Sequence, residues 1–60
     1  MSSIHTLVAL FAAEPTLANA KKVVAKVTHN PMSPCLLLAD GFAQVEKAKA
    51  TVAASRLVEA

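Results

Sequence analysis

The sequence is poor in the residues that most small proteins rely on for a core. It has no Trp or Tyr and only two Phe, Phe11 and Phe42, in 60 residues. Aromatic rings bury the most area per residue, so burial here must come from aliphatic chains. The hydrophobic fraction is 55%, but thirteen of those residues are Ala, which adds little area to a core. A folded chain of this length buries only about 60% of the surface that its unfolded form exposes. An Ala-rich core therefore predicts a marginal monomer, with self-association or a partner as the default.

Other shortages exclude other classes. Cys35 is the only cysteine. One thiol cannot close an internal disulfide, so a stapled secreted mini-protein is excluded and a reducing cytoplasm is the expected location. Gly41 is the only glycine, which excludes a glycine-rich phosphate loop. The longest apolar runs are Leu7 to Ala13 and Cys35 to Ala39. Both fall well short of the roughly 18 residues that a membrane-spanning helix needs, so no membrane insertion is expected. The size also leaves no room for a nucleotide-binding α/β domain or an enclosed active-site cleft.

Ile4 to Ala13, followed by Ala18-Asn19-Ala20, has the outline of a signal-peptide core and a small-x-small cleavage site. The first twenty residues hold no Lys or Arg, His5 and Thr6 interrupt the core, and Glu14-Pro15 separates it from the site. A structural helix is the preferred reading.

What is present points to an ordered all-α domain over 1–60. At 17% charged residues and a mean hydropathy of +0.49, the chain lies far from disordered composition. Ser2 or Ser3 can cap a first helix by accepting a backbone N–H bond. Ile4, Leu7, Val8 and Phe11 then share one face at helical spacing, and Pro15 ends or kinks the segment. The expected first helix covers about 3–13. Pro15 suits the first turn of a second helix over about 15–29. Its apolar face carries Leu17, Ala20, Val24 and Val27 with Val23 beside them; Asn19, Lys22, Lys26 and His29 make the opposite, wet face.

Asn30-Pro31-Met32-Ser33-Pro34 reads as the main loop, with Ser33 as cap and Pro34 opening a third, longer helix over about 34–58. Leu38, Phe42, Val45 and Val52 form its expected stripe. Gly41 costs about 1 kcal/mol against Ala inside a helix. The helix either runs unbroken from Pro34 or restarts with Asp40 as its cap. A strand at Cys35 to Ala39 ranks low, because it has no partner strand in the chain. The result is a helical hairpin or three-helix arrangement, with Leu7, Phe11, Val24, Leu38, Phe42 and Val45 expected to be buried.

Chemistry is sparse. His5, His29, Cys35 and Asp40 are the only conceivable metal set, and they lack the tight ligand pairs of structural zinc sites. No metal and no cofactor are expected. A Cys35–His29 nucleophile pair has no third residue to orient the imidazole, and Cys35 beside Leu36-Leu37-Leu38 reads as a small core residue. No pairing of Glu14, Asp40, Glu46 and Glu59 suggests acid–base work. No catalytic residues are assigned, and the chain is expected not to be an enzyme.

The most suggestive feature is basic. Lys21, Lys22 and Lys26 set against Glu14 give the first thirty residues net +2; Lys47, Lys49 and Arg56 against Asp40, Glu46 and Glu59 leave the rest neutral. Lys21, Lys22 and Lys26 are thus the candidate anion-binding residues, for phosphate backbones, an acidic protein partner or an anionic membrane surface; the bland alternative is a solvated helix face. Two excess charges make a weak field, and the only arginine is Arg56. A helix-turn-helix is disfavoured: Cys35-Leu36-Leu37-Leu38 offers no groups to read base edges. Leu36 and Leu37 are instead expected to be partly exposed as a protein-binding patch, with Leu38 facing inward.

The expected function is a small non-enzymatic helical protein acting by protein–protein interaction, as adaptor, inhibitor or assembly component, with itself (homodimer or higher) among its partners. The alternative is a weakly basic nucleic-acid-associated protein using the lysine face. Short helical chains of this kind are common in phage and accessory operons, an expectation from size alone.

Overall fold

The computed structural model describes residues 3–59, with side chains through Leu57. Among these residues the chain forms three α-helices, α1 (Ile4–Ala13), α2 (Leu17–His29) and α3 (Ala39–Glu59), with a short 3₁₀ turn over Ser33–Leu36. The fold is all-α, and the described residues contain no strand. The alternative strand at Cys35 to Ala39 is replaced by the 3₁₀ turn and the first residue of α3.

Local chemistry explains the first two helices. Ser3 caps α1: its hydroxyl accepts the Thr6 N–H at 3.2 Å. Ser2, the other candidate cap, lies outside the described residues. Ile4, Leu7, Val8 and Phe11 are all buried, as their spacing predicts. Glu14 leaves the helical region, and its carbonyl accepts the Thr16 N–H at 2.8 Å. Thr16 then caps α2 by accepting the Asn19 N–H at 3.3 Å. Pro15 therefore precedes the cap rather than opening the helix. Asn19 is a correction: it is buried rather than wet, and its amide donates to the Glu14 carbonyl at 2.8 Å. The Glu14 carbonyl thus accepts two bonds, from the Thr16 N–H and from the Asn19 side chain, and the second ties α2 to the end of α1 across the kink.

α2 buries Ala20 and Val23 fully, with Leu17, Val24 and Val27 packed against the core at partial exposure. The buried face is turned slightly from the expected one, so Val24 is half-buried rather than central. α2 makes its main contact with α3, and α1 packs across both.

α3 carries the largest correction. The expected stripe holds Leu38 and Phe42, yet Leu38 is 85% exposed and Phe42 44% exposed. Leu37, expected at the surface, is buried at 8%. For Leu37 and Leu38 the cause is the break before α3. Ser33 and Pro34 open only a 3₁₀ turn, with no side-chain cap; Leu37 is then extended (φ −93°, ψ 149°), and α3 starts at Ala39, so Asp40 lies in its first turn and is not its cap. Phe42 lies within α3, beside the buried seam of Val45 and Val52, and its exposure does not come from the break. The inward seam becomes Gly41, Val45, Ala48, Val52 and Ser55, spaced four and three residues apart. Cys35, expected in the core, is exposed on the 3₁₀ turn.

Gly41 makes the restart work. A Cβ built at Gly41 would lie 2.9 Å from Leu37 Cβ and 3.0 Å from Leu37 Cδ2. The φ of Gly41 is not positive, so the glycine is required by close approach and not by backbone conformation. The ring of His5 fastens the same region from the other side: Nε2 donates to the Leu36 carbonyl at 3.0 Å.

This geometry sets two opposed effects for Gly41→Ala. Helix propensity favours Ala by about 1 kcal/mol. Overpacking against Leu37 costs about 1–3 kcal/mol. The variant is expected to melt below the parent in a thermal denaturation followed by circular dichroism. A higher melting temperature would show that Leu37 does not sit on Gly41.

Candidate functional site

Two surfaces carry the candidate residues. The first is the outer side of α2, where the residues sorted by helical spacing meet neighbours from the other helices. Ala25 and His29 form a ridge that lines a groove on each side. On the α3 side, Lys21 faces Arg56 across a groove of about 450 Å³, over Val24 and Val52. On the α1 side, Lys22 and Lys26 line a groove of about 600 Å³ with Thr6, Leu7 and Leu10. The three lysines expected to act together are therefore divided: Lys22 and Lys26 share one groove and Lys21 lines the other.

Arg56 was not legible as part of this surface. It lies thirty-five positions beyond Lys21 in the chain, and only the packing of α3 on α2 joins them. No Asp or Glu among the described residues lines either groove. An ion pair within α3, Lys49 to Glu46 at 3.5 Å, sits on its exposed side and contributes little to stability.

The second surface is apolar. Leu36 is 68% exposed on the 3₁₀ turn, as expected for a binding patch. Leu37 is not part of it, since it covers Gly41. Its place is taken by Leu38 and Phe42, one helical turn apart at the start of α3. Leu57, near the other end of α3, is 80% exposed. Between them Ala39, Ala43, Ala50 and Ala53 are exposed at four- and three-residue intervals, with Glu46 in the remaining place. α3 thus has an apolar outer side as well as an inward seam.

Among the described residues no group of three or more His, Cys, Asp or Glu is placed to hold a metal ion. His5 bonds the Leu36 carbonyl, and His29 lies on the α2 ridge. No described helix is long and apolar enough to cross a membrane.

No protein-family model matches this chain, and neither the curated proteins nor the solved structures contain a significant match to it.

Proposed function

We propose that the protein is a small non-enzymatic helical interaction module, and that its first partner is a second copy of itself, docked on the outer side of α3. The observation that carries this reading is the exposure of Phe42 and Leu57 on α3 and of Leu38 just before it, with Ala39, Ala43, Ala50 and Ala53 and one charge, Glu46, along the outer stripe. Surface area supports it. The chain exposes 4098 Å², whereas a compact monomer of this mass exposes about 3,700 Å². A standard interface covers about 800 Å² per partner, close to a fifth of the exposed surface. At about 1.5 Å per residue, the 21 residues of α3 run most of the molecule's 33 Å length. Ala positions let two such helices approach closely, and Leu36 and Leu38 extend the patch toward the 3₁₀ turn.

Sedimentation at micromolar concentration is the direct test. The expected species has at least twice the 6.2 kDa chain mass, and its melting temperature rises with concentration. Leu38→Ser combined with Leu57→Ser should return it to a monomer while keeping helix content, because both side chains are solvent-exposed. A parent that stays monomeric at all concentrations, with a sharp transition, contradicts the reading.

One observation favours a second reading, binding of a nucleic-acid backbone: Arg56 joins Lys21 in the groove between α2 and α3, and Lys22 and Lys26 line the neighbouring groove across the α2 ridge. If phosphates are the ligand, changing Lys21, Lys22 and Lys26 to Gln weakens binding equally across sequences. It also reduces the salt slope by about one unit per lost contact. The expected outcome is that the parent binds duplex DNA and RNA no better than a neutral control at physiological salt. Tight, salt-sensitive binding lost in the triple variant would reverse the order of the two readings.

A further inference from the structure

We infer that the groove between α2 and α3 is a binding site for a small amphipathic anion, a carboxylate or phosphate head on a short hydrocarbon body. The inference stands on a different surface from the outer side of α3 and does not depend on self-association.

The groove combines two features that neither helix has alone. Cationic side chains from both walls, Lys21 and Arg56, line it together with His29, and no described Asp or Glu lines it with them. Its floor is apolar: Val24 is half-buried and Val52 is 6% exposed. The volume, about 450 Å³, falls within the range of about 300–1,000 Å³ typical of small-molecule sites.

The chemistry of each wall selects the ligand. An arginine fork matches a carboxylate or phosphate with two parallel hydrogen bonds, and Lys21 adds a mobile point charge. Thr28 does not compete as a donor, because its hydroxyl already donates to the Val24 carbonyl at 2.8 Å. Ser55 also lines the groove, and the charge of the head is met by Lys21 and Arg56. A bare phosphate satisfies those groups but leaves the valine floor uncovered. A nucleic-acid strand lays a hydrated backbone over that floor and gains nothing from it. A hydrocarbon body covers Val24 and Val52 and removes their remaining apolar area from water, which favours binding in proportion to the area covered. Fatty acids, alkyl phosphates and anionic lipids share this chemistry.

The test is a titration of methyl-labelled full-length protein, observed by NMR, with decanoate, octyl phosphate and inorganic phosphate. Decanoate and octyl phosphate should each give saturable shifts at the Val24 and Val52 methyls, and inorganic phosphate should leave both in place. Arg56→Gln and Lys21→Gln should each weaken octyl phosphate binding by about tenfold, the usual loss for one charge-assisted hydrogen bond. Both side chains lie at the surface, and circular dichroism checks that the helices persist. Lys47→Gln, away from both grooves, should bind like the parent. Vesicles containing phosphatidylglycerol identify the source of the head group. Co-sedimentation that Arg56→Gln abolishes assigns it to a lipid; octyl phosphate binding without co-sedimentation assigns it to a free molecule. Shifts that do not saturate, that persist undiminished in both Gln variants, or that map to Leu10 on the α1 side would overturn the inference.

Discussion

The structure depends on one close approach, the seating of the Leu37 side chain on the bare backbone of Gly41. Everything about α3 follows from it. Leu37 is extended, so it reaches back over the first turn of the helix and leaves no room for a Cβ beneath it. That contact fixes the phase in which the helix presents Val45, Ala48 and Val52 to α1 and α2. Leu38, the residue after Leu37, is left 85% exposed. A chain with two aromatic residues thus spends one of them, Phe11, on the core, where it is fully buried, and leaves the other near the surface. Small residues at Gly41, Ala48 and Ser55 leave space for the neighbouring helices. Gln44 shows the limit of such a core: its Oε1 is buried without a protein hydrogen-bond partner, which costs about 1–3 kcal/mol.

The sequence shows α1 almost completely, because its cap, its stripe and its terminating proline all act within a few residues. The end of α2 was legible for the same reason, while its start falls two residues after the expected Pro15 and its three lysines are divided between two grooves. Failures began where a contact across the fold decides the outcome. Asn19 looks like a surface residue by spacing, yet its side chain turns inward and donates to the Glu14 carbonyl across the kink. Leu38 extends a stripe through Val45 and Val52 only if the helix is continuous from Pro34. The 3₁₀ turn and one extended residue break that continuity. Phe42 lies within α3 but falls beside the seam of Gly41, Val45, Ala48 and Val52. Gly41 was visible as a weak point and a restart was one of the two alternatives, but the helix begins at Ala39, with Asp40 in its first turn and not at its cap. The direction in which the phase would shift was not visible, since it depends on which leucine of Leu36-Leu37-Leu38 reaches the glycine. Arg56 could be joined to Lys21 only by knowing how α3 lies on α2.

The architecture separates two kinds of surface. Apolar exposure collects on the 3₁₀ turn and the outer side of α3, while cationic groups collect along α2 and across its groove with α3. A helix with an apolar inward seam and an apolar outer side gains little from folding alone and more from being covered on both sides. That is the physical basis for reading the chain as an interaction module. The basic side is chemically distinct, so an anionic ligand and a second copy of the chain can be bound without competing for the same residues.

The central claim is the phase of α3, and a nuclear Overhauser experiment on the labelled protein tests it most directly. The account predicts strong cross-peaks between the Leu37 methyls and the Gly41 α-protons, with none between the Phe42 ring and Phe11. These contacts lie within one chain, so mixing differently labelled chains separates them from any contact between copies. Intramolecular cross-peaks from Leu38 and Phe42 to the core residues of α1, with none between Leu37 and Gly41, would contradict it.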